Sequence, residues 1–304
     1  MTTISSSGQS YVDFKKADLH QQVTDTIIKQ LEAGVVPWQR GWQGESLPYN
    51  IVTGNKYRSI NILLLWSASL TKQYTSQQWA SLKQWNQKKE FIRAGENGTV
   101  ITYYEIKEKE VDGEIVKIPF LRKSLVFNRC QLQSYDSSAA QPDQTYPSLV
   151  ETIDTVEAFV ENTQATIGHI GSDACYFPAD DIIYMPDMNK FIDTDQCTAT
   201  ENYYATLLHE LIHWSGAEKR LNRTKGKKFG DQNYAAEELV AELGAAFLCA
   251  GFGLPTANKG NHAAYIDNWL QVLRNDKYCV IKAASHASKA VDYLHGIQPT
   301  YAPE

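Results

Sequence analysis

The first periodic pattern along the chain is a stripe of Leu19, Val23, Ile27 and Leu31, four residues apart with polar residues between. It predicts an amphipathic helix over Asp18 to Ala33, stopped by Gly34. Pro37-Trp38 and Gly41-Trp42 then read as loop, and Thr53-Gly54-Asn55 reads as a turn ahead of a second helix starting near Ile60. A third helix is expected over Ser76 to Lys89, capped by Thr75 or Ser76. After the turn residues Gly95 and Asn97-Gly98, the stretches Thr99 to Lys107 and Ile115 to Phe127 are dense in branched and aromatic side chains. Asp112-Gly113 divides them, which is the pattern of a β-hairpin.

A polar run from Tyr135 to Pro147, with two prolines and no period, reads as a linker. Beyond it, Ser148 to Gln164 has helical spacing, and Ala174 to Pro178 and Asp181 to Met185 read as short strands around a turn. Thr198 to Trp214 is expected to be a helix, opened by a capping box of Thr198 with Glu201 and closed by Gly216. Three more helices are expected over Asn233 to Ala250 (ended by Gly251 and Gly253), Ala263 to Asn275 and Val280 to His295. The fold class is therefore α+β in two domains, residues 1–140 and 148–304, with a Ser/Thr-rich disordered leader over 1–10.

Charge supports this division. The chain carries a net charge of −6, but residues 1–148 hold 17 Lys/Arg against 14 Asp/Glu and the remainder 12 against 21. A mildly basic unit is joined to an acidic one, which suggests different partners. No membrane role is expected, because the longest apolar stretch, Ile60 to Leu70, is short and broken by Asn61, Ser67 and Ser69. The N-terminus lacks a basic-then-apolar signal pattern. Cys130, Cys175, Cys197, Cys249 and Cys279 are odd in number, scattered and without a C-x-x-C pair. That fits reduced thiols in a cytoplasmic protein.

The sharpest chemical signal is His209-Glu210-Leu211-Ile212-His213, an H-E-x-x-H on the capped helix. Residues four apart stack on one helix face, so two imidazoles can meet one tetrahedral Zn2+ (one per chain, other divalent metals being possible). Glu210 stands beside them, placed to take a proton from water as general base and poorly placed to ligate. Apolar Leu207, Leu208, Leu211 and Ile212 flank the motif, and half-buried polar groups there are costly without a metal or hydrogen bonds. A third ligand is required. The next helix offers Glu237, Glu238 and Glu242, with Glu238 preferred, then Glu242, then Glu237, which suits a solvated face. Ala235, Ala236, Ala241, Ala245 and Ala246 allow close packing of this helix on the first.

H-E-x-x-H followed on a second helix by E-x-x-x-E resembles the gluzincin pattern of zinc metallopeptidases. The resemblance implies Glu238 as third ligand and Glu242 as the outer partner of a ligating histidine. It also likens Asp181 to Met185 to the edge strand along which zincins hold a peptide. His262 lies too far downstream, and lacks the glycine spacing, for a metzincin arrangement.

In the first half, bases and aromatics interleave: Lys56, Tyr57 and Arg58 with Asn50 and Asn61, then Trp79, Lys83, Lys88, Lys89 and Arg93. Rings that stack on bases and cations that track phosphates suit single-stranded DNA. The bland reading of the same residues is core aromatics and a solvated helix face.

The run N-x-x-T-G-x-x-Y-R-x-x-N-x-x-L-L from Asn50 to Leu65, Trp79 to Val100, Tyr203 to Gly216 and Glu237 to Phe247 together resemble plasmid antirestriction proteins of the ArdC type. The first of these domains is also similar to one in conjugative-plasmid primases. Ser59 departs from the family pattern, standing where glycine is usual, and Ala80-Ser81 replaces a more typical Thr-Tyr. The resemblance implies an N-terminal domain that binds single-stranded DNA and a metallopeptidase-type C-terminal domain of unknown substrate. It implies protection of incoming DNA from restriction, type I above all, during conjugation, with a restriction enzyme or another protein as partner. Tyr265, His286 and Tyr204 are candidate oxyanion stabilisers. The alternative is a non-catalytic protein that binds DNA or the restriction enzyme and holds a structural zinc. A primase or nuclease is the weaker reading, because no acidic cluster suits two magnesium ions.

Overall fold

The computed structural model describes residues 18–39, 47–111, 114–136, 149–194, 197–223, 232–256 and 262–299. The leader over 1–10, the Gly41-Trp42 loop, the Asp112-Gly113 turn and nearly all of the 135–147 linker lie outside them.

Helix α1 (Leu19–Glu32) begins where Asp18 accepts the His20 N–H at 3.0 Å, and it buries the Val23, Ile27 and Leu31 stripe. Strand β1 (Tyr49–Asn50) leads through a turn to α2 (Ile60–Lys72), which is buried over most of its length. The helix expected over Ser76 to Lys89 is instead a strand, β2 (Gln78–Ala80), followed by a short helix, α3 (Leu82–Gln87). Ser81 caps α3 with a capping box closed by Gln84. The strand wins at Gln78–Ala80 because Trp79 pairs with Asn128 across the sheet, a long-range bond that local propensity does not contain.

The hairpin is β3 (Thr99–Val111) with β4 (Glu114–Asn128), in register from Thr99↔Val126 to Val111↔Glu114. Its ladder runs past Lys107 through alternating Glu and Lys, since main-chain bonding continues once the register is set. The first sheet has the order β1-β2-β4-β3.

After α4 (Leu149–Asn162) comes a second sheet, formed by β5 (Thr166–His169), β6 (Cys175–Phe177) and β7 (Ile182–Met185) in the order β5-β7-β6. Strand β5 carries no sequence signal; it is four residues long, contains Gly168 and has no apolar alternation. Strand β7 pairs parallel to β5 and antiparallel to β6. It is therefore the central strand, and the expectation that Asp181 to Met185 forms an edge is corrected: both of its sides are already bonded. The edge facing the next helix is β6.

Helices α5 (Ala199–Ser215), α6 (Gln232–Phe252), α7 (His262–Asn275) and α8 (Cys279–Gly296) complete the fold. Gly251 lies inside α6, and Gly253, at φ +76°, ends it. One hydrophobic core takes in α1, α2, Trp38 and the helices α4 to α8. Trp38 meets Trp269 of α7 edge-on at 5.3 Å, and the Trp66 ring of α2 lies 5.9 Å from Phe247 of α6. All five cysteines are free thiols.

Close approach of α5 and α6 depends on Gly244. A Cβ there would sit 2.7, 2.8 and 3.0 Å from the three outer carbons of Ile212. Gly→Ala in an open helix gains about 1 kcal/mol of propensity. Here overpacking reverses the sign, and Gly244→Ala is expected to destabilise by about 1–2 kcal/mol net. Urea unfolding reads this directly; a gain in stability would show that the two helices have slack.

Candidate metal centre

Helix α5 has its start fixed by the expected capping box. Thr198 N–H donates to the Glu201 carboxylate at 2.8 Å, and Glu201 N–H donates to Thr198 Oγ at 3.2 Å. With the start fixed, His209 and His213 fall on one face. Helix α6 runs against that face and brings three glutamates to the two rings.

His209 Nε2 lies 3.6 Å from one Glu238 oxygen, and His213 Nε2 lies 3.2 Å from the other. The ligand atoms of His209, His213 and Glu238 all fall within 4.8 Å of one another. Donors about 2.0–2.2 Å from one tetrahedral ion are roughly 3.4 Å apart, so this spacing fits a single divalent metal. Both Nδ1 atoms turn to a second pair of carboxylates. His209 Nδ1 is 3.6 Å from Glu242, and His213 Nδ1 is 3.4 Å from Glu237. Such partners hold the ring orientation and would leave the Nε2 lone pairs available to a metal.

Glu242 lies against His209 Nδ1. Glu237 does not lie on a solvated face: it is buried, tied to His213 and paired with Arg223 at 2.8 Å. Its position on α6 faces α5 and not solvent, because the Gly244 contact draws the two helices together. Arg223, which no sequence signal marked, also donates to Ser215 Oγ at 2.9 Å and to Ile212 C=O at 2.6 Å. Gly216 makes room for it, since a Cβ there would stand 2.7 Å from the guanidinium.

These contacts set the charge states. Burial works to lower the His213 pKa, but the Glu237 and Glu238 carboxylates outweigh it and hold it at about 9. Burial works to raise the two carboxyls. Hydrogen bonds from His213 and Arg223 nonetheless hold Glu237 at about 2, and those from His209 and His213 hold Glu238 well below the usual carboxylate range.

Glu210 is buried beside this cluster and stands outside the ligand set. Its carboxylate accepts the Tyr176 N–H of β6 at 2.8 Å, which orients it away from the helix axis. Of the candidate oxyanion groups, the Tyr204 hydroxyl is committed to Glu157 of α4. His286 lies on the exposed side of α8, and the Tyr265 side chain is outside the described residues.

The nucleic-acid candidates divide by burial. Lys56, Arg58, Lys83, Lys88 and Lys89 are exposed. Trp79 is corrected to a core residue: it is 0% exposed, packed against Tyr74, and cannot reach a base without unpacking. Asn50 and Asn61 serve the fold. Asn50 Oδ1 accepts the Val52 and Thr53 N–H groups, and Asn61 exchanges hydrogen bonds with the Thr102 backbone. Tyr57 is half-buried beside Leu65 and Trp79. Arg93 donates to the Leu132 and Cys130 carbonyls and to Glu96.

Residues 17–127 match the family model for the N-terminal domain of anti-restriction factor ArdC, and residues 154–286 match that for a zincin-like metallopeptidase. The chain is 32% identical over 294 residues to an uncharacterized protein of Sinorhizobium fredii, covering 92% of each. It is also 32% identical over 298 residues to the DNA primase TraC of Escherichia coli, where it spans 27% of that protein's length. The crystal structure of the antirestriction protein ArdC from plasmid R388, metal-free, superposes with a TM-score of 0.75 at 36% identity, covering 92% of this chain and 97% of that one. Its Mn(II)-bound structure gives 0.74 at 34% identity. With both domains matched in order, and the relatedness running nearly end to end, the chain belongs to the ArdC family of antirestriction proteins.

Proposed function

We propose that this protein acts in the cytoplasm, binds single-stranded DNA through its N-terminal half and carries one zinc at His209, His213 and Glu238. Its role is to protect incoming plasmid DNA from restriction during conjugation, type I systems being the expected target. The supporting observation is the convergence of three ligand atoms within 4.8 Å beside a buried, tethered Glu210. When bound, a divalent metal supplies Lewis acidity, polarising a carbonyl and acidifying water. Glu210 takes the proton of the attacking water and returns it to the leaving amine. The Tyr176 N–H holds Glu210 in place, and Glu242 and Glu237 hold the imidazoles.

Glu210→Gln separates the parts of this reading. The variant is expected to fold and to keep one metal per chain by elemental analysis, and to lose about 10²–10⁴-fold in any peptide hydrolysis. Transfer of unmodified plasmid DNA into a restricting host then tells whether that chemistry matters. Loss of protection assigns it to hydrolysis.

One observation favours a second reading, in which DNA or restriction-enzyme binding protects and the metal is structural. The His209, His213 and Glu238 side chains are only 4%, 12% and 10% exposed. Undiminished protection by Glu210→Gln would support it.

A further inference from the structure

The loop after β1 runs alongside α8, each step matched by a turn of that helix. Lys56 lies within electrostatic reach of His295, Arg58 pairs with Asp292, and the Ser59 N–H donates to Ser288 Oγ at 2.9 Å. The next turn opens into a cavity of about 430 Å³, within the size range of small-molecule sites. Arg58 and Asn61 bound it on one side, and Tyr278, Ile281, Lys282 and His286 on the other.

Two further features mark this junction. Ser59 has φ 54° and ψ −137° in a turn closed by the Asn61 N–H on the Arg58 carbonyl at 3.2 Å. Glycine normally supplies this conformation, and such strain gathers at binding sites. The exposed side of α8 carries Lys282, His286 and Lys289, spaced four and three apart on one face, while Ala283, Ala284, Ala287 and Ala290 are buried behind it. From His295 to Lys282 the helix extends about 20 Å. Lys56, Arg58, Lys282 and Lys289 therefore space four cations along this edge, with Asp292 among them, and an aromatic ring and aliphatic side chains line the cavity within it.

We propose that this junction is a segment of the DNA track: a single strand leaves the N-terminal half and crosses onto α8, with its phosphates on Arg58, Lys282 and Lys289 and one base in the cavity beside Tyr278 and Ile281. This rests on the single-stranded DNA reading above and extends it onto the metallopeptidase half. Bases stacking on rings while cations follow the backbone is the chemistry of single-strand binding. Arg58 and Lys282 pair with Asp292 and Asp276 in exposed contacts, which contribute little and yield readily to a phosphate. A base can enter the cavity only unstacked, so single strands are favoured over duplex.

The test is fluorescence anisotropy of a labelled thymidine oligonucleotide with the full chain at stepped salt. Lys282→Ala/Lys289→Ala is expected to weaken binding several-fold and to lower the log–log salt slope by about 1.4, because two phosphates then keep their counterions. Ser285→Trp, which fills the cavity, is expected to weaken binding while leaving the slope unchanged. Melting curves confirm that each variant is folded. If the wild type binds and the double variant keeps its affinity and slope, the strand does not cross α8. If only Ser285→Trp binds normally, no base enters the cavity. If the wild type binds no DNA at all, the single-stranded DNA reading itself falls.

Discussion

Glu238→Ala is expected to cost the protein its stoichiometric metal. Structural zinc sites bind with about 10–16 kcal/mol, so losing one of three protein ligands should weaken affinity by roughly three orders of magnitude. His209→Ala should match it. Glu242→Ala and Glu237→Ala remove only partners of the ligating rings and should weaken binding about 10–100-fold. Chelator competition on the four variants gives the order, and a larger loss in Glu242→Ala than in Glu238→Ala would exchange their roles. The same titration has a distinctive pH dependence. In the metal-free protein His213 keeps its proton up to about pH 9, so metal uptake at pH 7 must expel it. Affinity should rise about tenfold per pH unit and level off near 9. A flat profile between pH 6.5 and 8.5 would show that His213 is already neutral there.

Arg223→Ala should produce a large loss of stability in the metal-free protein. The guanidinium is buried and holds Glu237 through two of its nitrogens, at 2.8 Å and 3.2 Å, as well as a carbonyl of α5. Removing it leaves the buried Glu237 carboxylate to His213, 3.4 Å away, and costs about 3 kcal/mol. For a chain of this size that lowers the melting temperature by roughly 10 °C. Arg223→Lys restores the charge but not the forked geometry, and should recover only part of the loss. The pH dependence follows from the two shifted groups. Glu237 has a lowered pKa, so its contribution is present above about 4.5 and fades as pH falls toward 2. His213 has a raised pKa, so its contribution is present below about 6.5 and fades as pH rises through 9. Wild type should therefore be most stable between these limits. A loss below about 1 kcal/mol in Arg223→Ala would mean that water reaches Glu237 freely.

The clustering of His209, His213 and Glu238 was legible because it is local. Thr198 and Glu201 fix the start of α5, His209 and His213 share a face by their spacing, and the acids of α6 recur at helical intervals. What escaped depends on distant partners. Glu237 looks like any surface acid until Arg223 folds back from the segment after α5. Gln78–Ala80 reads as helix until β4 pairs with it, and Asp181 to Met185 reads as an edge until β5, itself unmarked, takes its open side. Trp79 interleaves with lysines in sequence just as a base-stacking ring would, and only packing against Tyr74 and Leu65 assigns it to the core.

Trp38 and Trp66 seat their rings among helices of the opposite half. A gene cut within the linker would give two fragments, one with stranded indoles and the other with empty sockets, both prone to aggregate. The heritable module is then the pair. The match to the DNA primase TraC, over 27% of that protein's length, takes in 92% of this chain and so spans both halves together, and selection should remove crossovers that divide them.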